Sequence, residues 1–343
     1  MKRFQSFAGG RVVKTGVAIF LTAWICEMLH WPPVFAVITA IVTIEPTVSD
    51  SIKKGVIRFP ASAIGSAYAV FFISLFGNSP ITYTLAAVFT IATCFKLKLY
   101  AGLLVATLTS VAMVEVIHGN YLVSFFIRLG TTTTGLLVST LVNMFILPPD
   151  YTKEIIENVQ AIGKKTGITA AKVFQDILEN KHEEDAVDKK MIAELDKKIH
   201  QTEVLIRFQK DETKYHPLVG NDKYLFVHAQ DQLAKLRLIN YHMDNLINTS
   251  LRTISWTKEE RGIILKAVNE LADSMINAKH YETDKHQQQF RLLTELFWED
   301  NEEITKNNDQ HPTHFPPELI IMYELLSIYN LVTRFYHQPD TTK

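Results

Sequence analysis

Cysteine is nearly absent. Two occur in 343 residues, Cys26 and Cys94, each inside an apolar run. They offer no zinc-ligand spacing and no disulfide framework, so both read as small buried hydrophobes. Glycine-rich phosphate loops are missing as well. Gly163-Lys164-Lys165-Thr166-Gly167 lacks the upstream glycine and the preceding strand of a nucleotide-binding loop, which argues against ATP-driven chemistry. No nucleophile–base pairing stands out, so no enzyme activity and no cofactor are implied. Charge is scarce at one end of the chain. The first 150 residues hold ten Lys/Arg and five Asp/Glu, a net of +5, whereas the remainder holds 25 and 31, a net of −6. That shift divides the chain into a transmembrane domain, 1–150, and a helical cytoplasmic domain, 151–343. The acidic balance of the second part argues against nucleic acid or anionic lipid as its partner. It fits self-association, or gating of the first part.

What the first part does have is apolar length. Six runs read as spans: Val12–Leu29, Pro33–Val48, Val56–Phe76, Ile81–Phe95, Leu99–Ile117 and Tyr121–Leu147. A bilayer core needs about 20 apolar residues per helix. The basic N-terminus followed by an apolar run resembles a signal peptide, but five more runs follow, so an uncleaved first span is the better reading. The connections HWPP, GNSP and HGN carry no Lys or Arg. The alternate ones carry Lys53, Lys54, Lys96 and Lys98, while Lys2, Arg3, Arg11 and Lys14 precede or open the first span and Lys153 follows the sixth. Basic loops stay on the cytoplasmic side, so both termini are expected inside a multi-pass cell-membrane protein surrounded by lipid.

Four charges lie too deep to be orientation anchors: Glu45, Arg58, Glu115 and Arg128. Arg128 lies seven residues into its span, roughly 10 Å along a helix. It either snorkels to the outer headgroups or forms a cationic site for an anion. The stretch Thr131–Thr134 and Gly135, continuing deeper along the same helix, favours the second. Thr131, Thr132 and Thr134 would then line the path. Glu27, near the outer end of the first span, reads as interfacial.

A shift of 70 positions superposes Thr39 on Thr109, Glu45 on Glu115, Ile57 on Ile127, Arg58 on Arg128 and Gly65 on Gly135. With three spans per copy, such a match implies a 3+3 inverted repeat, an arrangement common in secondary transporters. Glu45 and Glu115 would then pair with the arginines or carry protons. Pro46 would interrupt the second span near its inner end, and Pro60 would fall in the first turns of the third.

The run AVITAIVTIEPTVSDSIKKGVIRFPASAIGSA resembles the signature region of the aromatic acid exporter family, in the fusaric-acid-resistance-like superfamily. The family's turn after the second span is matched by Ile44-Glu45-Pro46-Thr47, and its Ser-x-x-x-Gly-x-x-Arg run by Ser51, Gly55 and Arg58, with Gly65 downstream. A six-span block before an acidic helical domain is similar to the Gram-positive members. The resemblance implies proton-driven export of small aromatic or related carboxylic acids, and a homo-oligomer that supplies a second membrane half. Arg58 and Arg128 would hold the carboxylate. The family is similar in plan to plant malate channels of the same superfamily. Rival readings are a passive organic-anion channel and a membrane-anchored sensor or scaffold.

From Tyr151 onward about six amphipathic helices are expected, with no strand signal. Thr257-Lys258-Glu259-Glu260 reads as a capping box. His311 and His314 share a proline-rich loop, but no Cys or acid stands at ligand spacing, so no metal site is assigned. His228 and His242 fall in one helix about four turns apart, too far for a shared site.

Overall fold

The computed structural model describes residues 9–116, 119–179, 185–249, 254–307 and 316–337. The His311–His314 loop, Lys2, Arg3 and the expected end of the fifth span at Ile117 lie outside the described residues. Among the described residues there are twelve α-helices and no strand. They separate into two compact units, 1–150 with 208–217, and 151–207 with 218–343. A division at residue 150 places Phe208–Pro217 in the second domain, whereas in the structure this segment packs with the first unit.

The first unit contains α1 (Gly9–Met28), α2 (Pro33–Thr43), α3 (Val48–Phe76), α4 (Pro80–Lys96), α5 (Leu103–Val116) and α6 (Tyr121–Phe145). Of these, α1, α3 and α6 are long and apolar enough to cross a bilayer, whereas α2, α4 and α5 are apolar but shorter. Two expected boundaries move furthest. The second span stops at Thr43 rather than Val48, and the third begins at Val48 rather than Val56. Pro46 therefore lies in the connection and interrupts no helix, while Pro60 sits well inside α3 rather than in its first turns. The cause is capping. Thr47 Oγ1 accepts the Asp50 N–H at 3.0 Å, and the Val48 N–H is met at 3.0 Å by the buried Glu212 carboxylate of the 208–217 segment. With two otherwise orphaned donors satisfied, the polar run Ser49–Lys54 winds as helix.

Polarity in this unit is turned inside out. Phe20, Leu104, Leu122 and Phe126 face outward at 64–71% exposure. Thr39, Ser51, Ser62, Ser66, Thr109, Thr132 and Ser139 are buried inside. A chain folding in water does the reverse. In lipid, small hydroxylated residues let helices approach, and their hydroxyls bond back to the helix carbonyls.

The second unit contains α7 (Thr152–Leu178), most of α8 (Asp185–Glu212), α9 (Gly220–Asn248), α10 (Lys258–Ile276), α11 (Thr283–Asn307) and α12 (Pro317–Tyr336). Its core is aliphatic and aromatic, with Ile155, Phe174, Leu195, Leu236 and Ile328 fully buried. The capping box forms: Thr257 Oγ1 accepts the Glu260 N–H, and Glu260 accepts the Thr257 N–H at 2.6 Å. Tyrosines on α12 lock it to α10, through Tyr329 Oη to Ala267 O and Tyr336 Oη to Ser274 O, both 2.6 Å.

Candidate functional site

Glu45 is held in the connection between α2 and α3 by its own backbone. Its N–H donates to Ser51 Oγ, and its carbonyl accepts Asn143 Nδ2 from α6 at 3.1 Å. Lys54 and Arg58 are four residues apart on α3, on one face, and both reach back to it. Arg58 Nη2 lies 2.7 Å from Glu45 Oε1, and Lys54 Nζ lies 2.8 Å from Oε2. Arg58 Nε donates to Ala101 O at 3.2 Å, and its side chain is only 7% exposed. The first acid–arginine pair thus forms, and it is closed by a second cation.

Arg128 on α6 is 4% exposed. Its Nη2 donates to Thr109 Oγ1 on α5, and its Cζ lies 4.3 Å from the centroid of the Phe35 ring, a cation–π contact. Nε and Nη1 are buried without a hydrogen-bond partner. Glu115 does not reach Arg128. It lies exposed and accepts Tyr83 Oη at 2.5 Å. The structure therefore brings Glu45 and Arg58 together but leaves the second expected pair apart.

The threonines after Arg128 differ in placement. Thr131 and Thr132 are buried, and their hydroxyls donate to Arg128 O at 3.0 and 2.9 Å. Thr134 is half-buried and donates to Gly130 O. Thr132 Oγ1 also lies 3.2 Å from Ser62 Oγ, which is 3.5 Å from Thr109 Oγ1. A hydroxyl cluster therefore adjoins the unpaired guanidinium.

The 70-residue offset reappears as contacts. Helix α2 begins at Pro33 and α5 at Leu103. A Cβ on Gly65 would stand 2.3 Å from Ala106 O, and one on Gly135 would stand 2.4 Å from Ala36 O. Each position in the first contact plus or minus 70 gives the second. So α3 packs on α5 as α6 packs on α2, each copy embracing the other. Ser62 and Thr132 are themselves 70 apart and touch. Gly55 faces Leu136 while Ser62 faces Thr132, so α3 and α6 run antiparallel through that crossing. Two copies related by an antiparallel crossing are what an inverted repeat requires.

Sequence reading missed two residues. Lys14, read as an orientation anchor, is buried, and its Nζ donates to Asn143 Oδ1 at 2.9 Å. Asn143 in turn bridges to Ser51 Oγ. A signal was present in both cases: a charge already inside an apolar run, and a lone amide in another. Chemically, the interior offers planar guanidinium forks and hydroxyl donors, the groups that recognise a carboxylate.

Residues 6–146 match the profile of aromatic acid exporter family member 1. Along its whole length the chain is similar to a UPF0421 protein of Oceanobacillus iheyensis, 48% identical over 344 residues and covering 99% of each chain. It is 42% identical to a UPF0421 protein of Bacillus cereus strain ATCC 10987, over 96% of this chain and 93% of the relative. A Staphylococcus aureus relative of the same name is 36% identical, over 97% and 98%. With relatives matched from end to end, the chain belongs to the UPF0421 family, and its residues 6–146, which hold the three helices able to span a bilayer, match the aromatic acid exporter family.

Proposed function

We propose that this protein is a plasma-membrane secondary transporter that exports small organic, above all aromatic, carboxylic acids. One observation carries the reading. Arg128 is a buried guanidinium with two unpartnered nitrogens and, among the described residues, no carboxylate within ion-pair distance. Arginine does not neutralise itself by losing a proton, and an uncompensated buried charge costs several kcal/mol or more. An anionic cargo passing through the unit supplies that compensation, and a carboxylate matches the fork. Arg58 serves as the second cation on the path. The buried hydroxyls of Thr131 and Thr132, with Thr134 at the edge, line it. Gly65 and Gly135 hold the helices close enough for the arginines to remain buried.

The membrane unit comprises six spans with both termini cytoplasmic. The distribution of Lys and Arg among the connections supports this orientation. The acidic second unit is cytoplasmic. Glu45 and Glu115 exchange protons or pair with the arginines, which couples efflux to the proton gradient. The functional assembly is a homo-oligomer of this chain.

The test uses purified full-length protein in liposomes loaded with radiolabelled benzoate and related aromatic acids. Efflux that accelerates under an imposed pH gradient supports a proton-coupled exporter. Flux that follows voltage and ignores pH identifies a passive organic-anion channel. No flux of any acid from folded protein rejects both, and leaves a sensor or scaffold acting through the second unit.

A further inference from the structure

The two copies in the first unit share one plan but are caught in different arrangements. Arg58 lies on its acid, Glu45, at 2.7 Å. Arg128 lies off its acid, Glu115, and on a threonine, Thr109. The residue equivalent to Thr109 in the first copy is Thr39, which is fully buried and donates only to Phe35 O in its own helix. Thr39 packs against Gly135 of α6, whose added Cβ would lie 2.9 Å from Thr39 Cβ, and Thr109 lies beside Ser62 of α3. Each threonine therefore lines the same interior as the two arginines.

We propose that Thr39 and Thr109 are alternate docking positions for the two buried arginines. In the state seen here, Arg58 closes on Glu45 while Arg128 rests on Thr109. In the other state, Arg128 closes on Glu115 while Arg58 rests on Thr39. One pair is shut when the other is open. The exchange follows from the repeat: swapping the conformations of the two copies exchanges the arginine–acid and arginine–threonine contacts, except that Ser124 stands where the first copy has Lys54, so Glu115 closes on Arg128 without a second cation.

The geometry permits it. Thr109 and Glu115 are six residues apart on α5, roughly 9 Å along its axis, and Thr39 and Glu45 have the same sequence spacing, with Glu45 just beyond the end of α2. An arginine side chain extends in either direction from its Cα, so a rotamer change with a modest helix shift spans that interval. Both arginines are four residues before the Ser62–Thr132 crossing, roughly 6 Å along each helix. Because α3 and α6 run antiparallel there, the arginines stand on opposite sides of the crossing. Closing each in turn would seal the path first from one side and then from the other. Glu115, held by Tyr83 at the surface, is the acid that must swing in.

This inference deepens the transporter reading, yet its test uses no cargo. Cys26 and Cys94 are replaced by alanine, and Ser62→Cys at the crossing serves as the reporter. A membrane-impermeant thiol reagent is applied to intact cells and to inverted vesicles. Thr109→Val weakens the state seen here and Thr39→Val weakens the other. The ratio of labelling from the two sides is expected to move in opposite directions, by roughly tenfold or more each way, the scale of one hydrogen bond to a charged group. Thr→Ser at either site retains the parent ratio. Glu115→Gln, an exposed substitution that the fold tolerates, shifts the ratio in the same direction as Thr39→Val and decides the matter if a valine variant does not fold. Shifts in the same direction for both threonines, no shift in any variant, or no labelling of Ser62→Cys from either side would overturn the proposal. Failure of acid efflux in liposomes, with the opposite shifts intact, would count against the cargo and not against the device.

Discussion

A guanidinium keeps its charge at any physiological pH, so Arg128 must be compensated by something other than proton loss. Its cation–π contact with Phe35 and its one threonine contact fall short of a full ion pair. Arg128→Ala is therefore expected to abolish acid efflux while leaving the protein folded, since the substitution removes an unpaired buried charge. Arg128→Lys retains charge but loses the planar fork, and efflux should fall roughly tenfold. Both are read by liposome efflux alongside size-exclusion profiles in detergent. In the second unit, His286 is buried between Tyr281 and Tyr329, with Nε2–H donating to Tyr329 O at 3.0 Å. Burial holds its pKa below the ordinary 6.5, and burial does the same to His228. Below about pH 6.5 the unfolded chain binds protons that the folded unit resists. The stability these neutral histidines permit is thus present above 6.5 and is lost as pH falls through that value. Thermal unfolding of the full chain in detergent should show a midpoint that drops between pH 7 and pH 5. His286→Gln should flatten that drop.

Helices α3 and α6 owe their close packing to one glycine each. A methyl at Gly65 or Gly135 would meet a backbone oxygen at 2.3 or 2.4 Å, and backbone cannot step aside as a side chain can. Gly65→Ala and Gly135→Ala should each destabilise the first unit by about 1–3 kcal/mol, the scale of overpacking. The two effects should be similar in size, because the contacts are equivalent. Gly10→Ala and Gly16→Ala, with open space around each Cβ, serve as controls that change little. Thermal unfolding in detergent distinguishes the pairs. The elements also explain where the α2–α3 boundary fell. Hydropathy alone ends a span where charge begins, but a helix continues wherever its first donors are capped, as Thr47 and Glu212 do for α3.

For the whole molecule, the proposed function gives one arrangement in the membrane, which rests on the charge bias of the connections. Single cysteines at Pro32, Asn78 and Gly119 are expected to react with an impermeant thiol reagent added to intact cells. Cysteines at Lys53 and Lys98 should react only in inverted vesicles. Reaction of all five from one side would reject the six-span orientation. The segment Phe208–Pro217 adds a constraint that hydropathy does not encode. Its Glu212 is fully buried in the first unit and contacts His216 at 2.7 Å, so a chain ending at Asp150 would leave the Val48 donor unmet.

The polarity plan is legible in the residues alone: apolar runs of span length, net positive charge before residue 150 and net negative after it, and the 70-residue match of acids, arginines and glycines. These are properties of composition and spacing, which need no partner to be read. Which charges meet depends on the fold. Glu45 and Arg58 lie 13 residues apart and Glu115 and Arg128 lie 13 apart, yet one pair is closed and the other open. Equal spacing cannot distinguish them, because an ion pair depends on how neighbouring helices place the two groups. The burial of Lys14 on Asn143, 129 residues away, and the meeting of Ser62 with Thr132 across the crossing have the same origin. They are contacts between helices, set by tertiary packing rather than by local sequence.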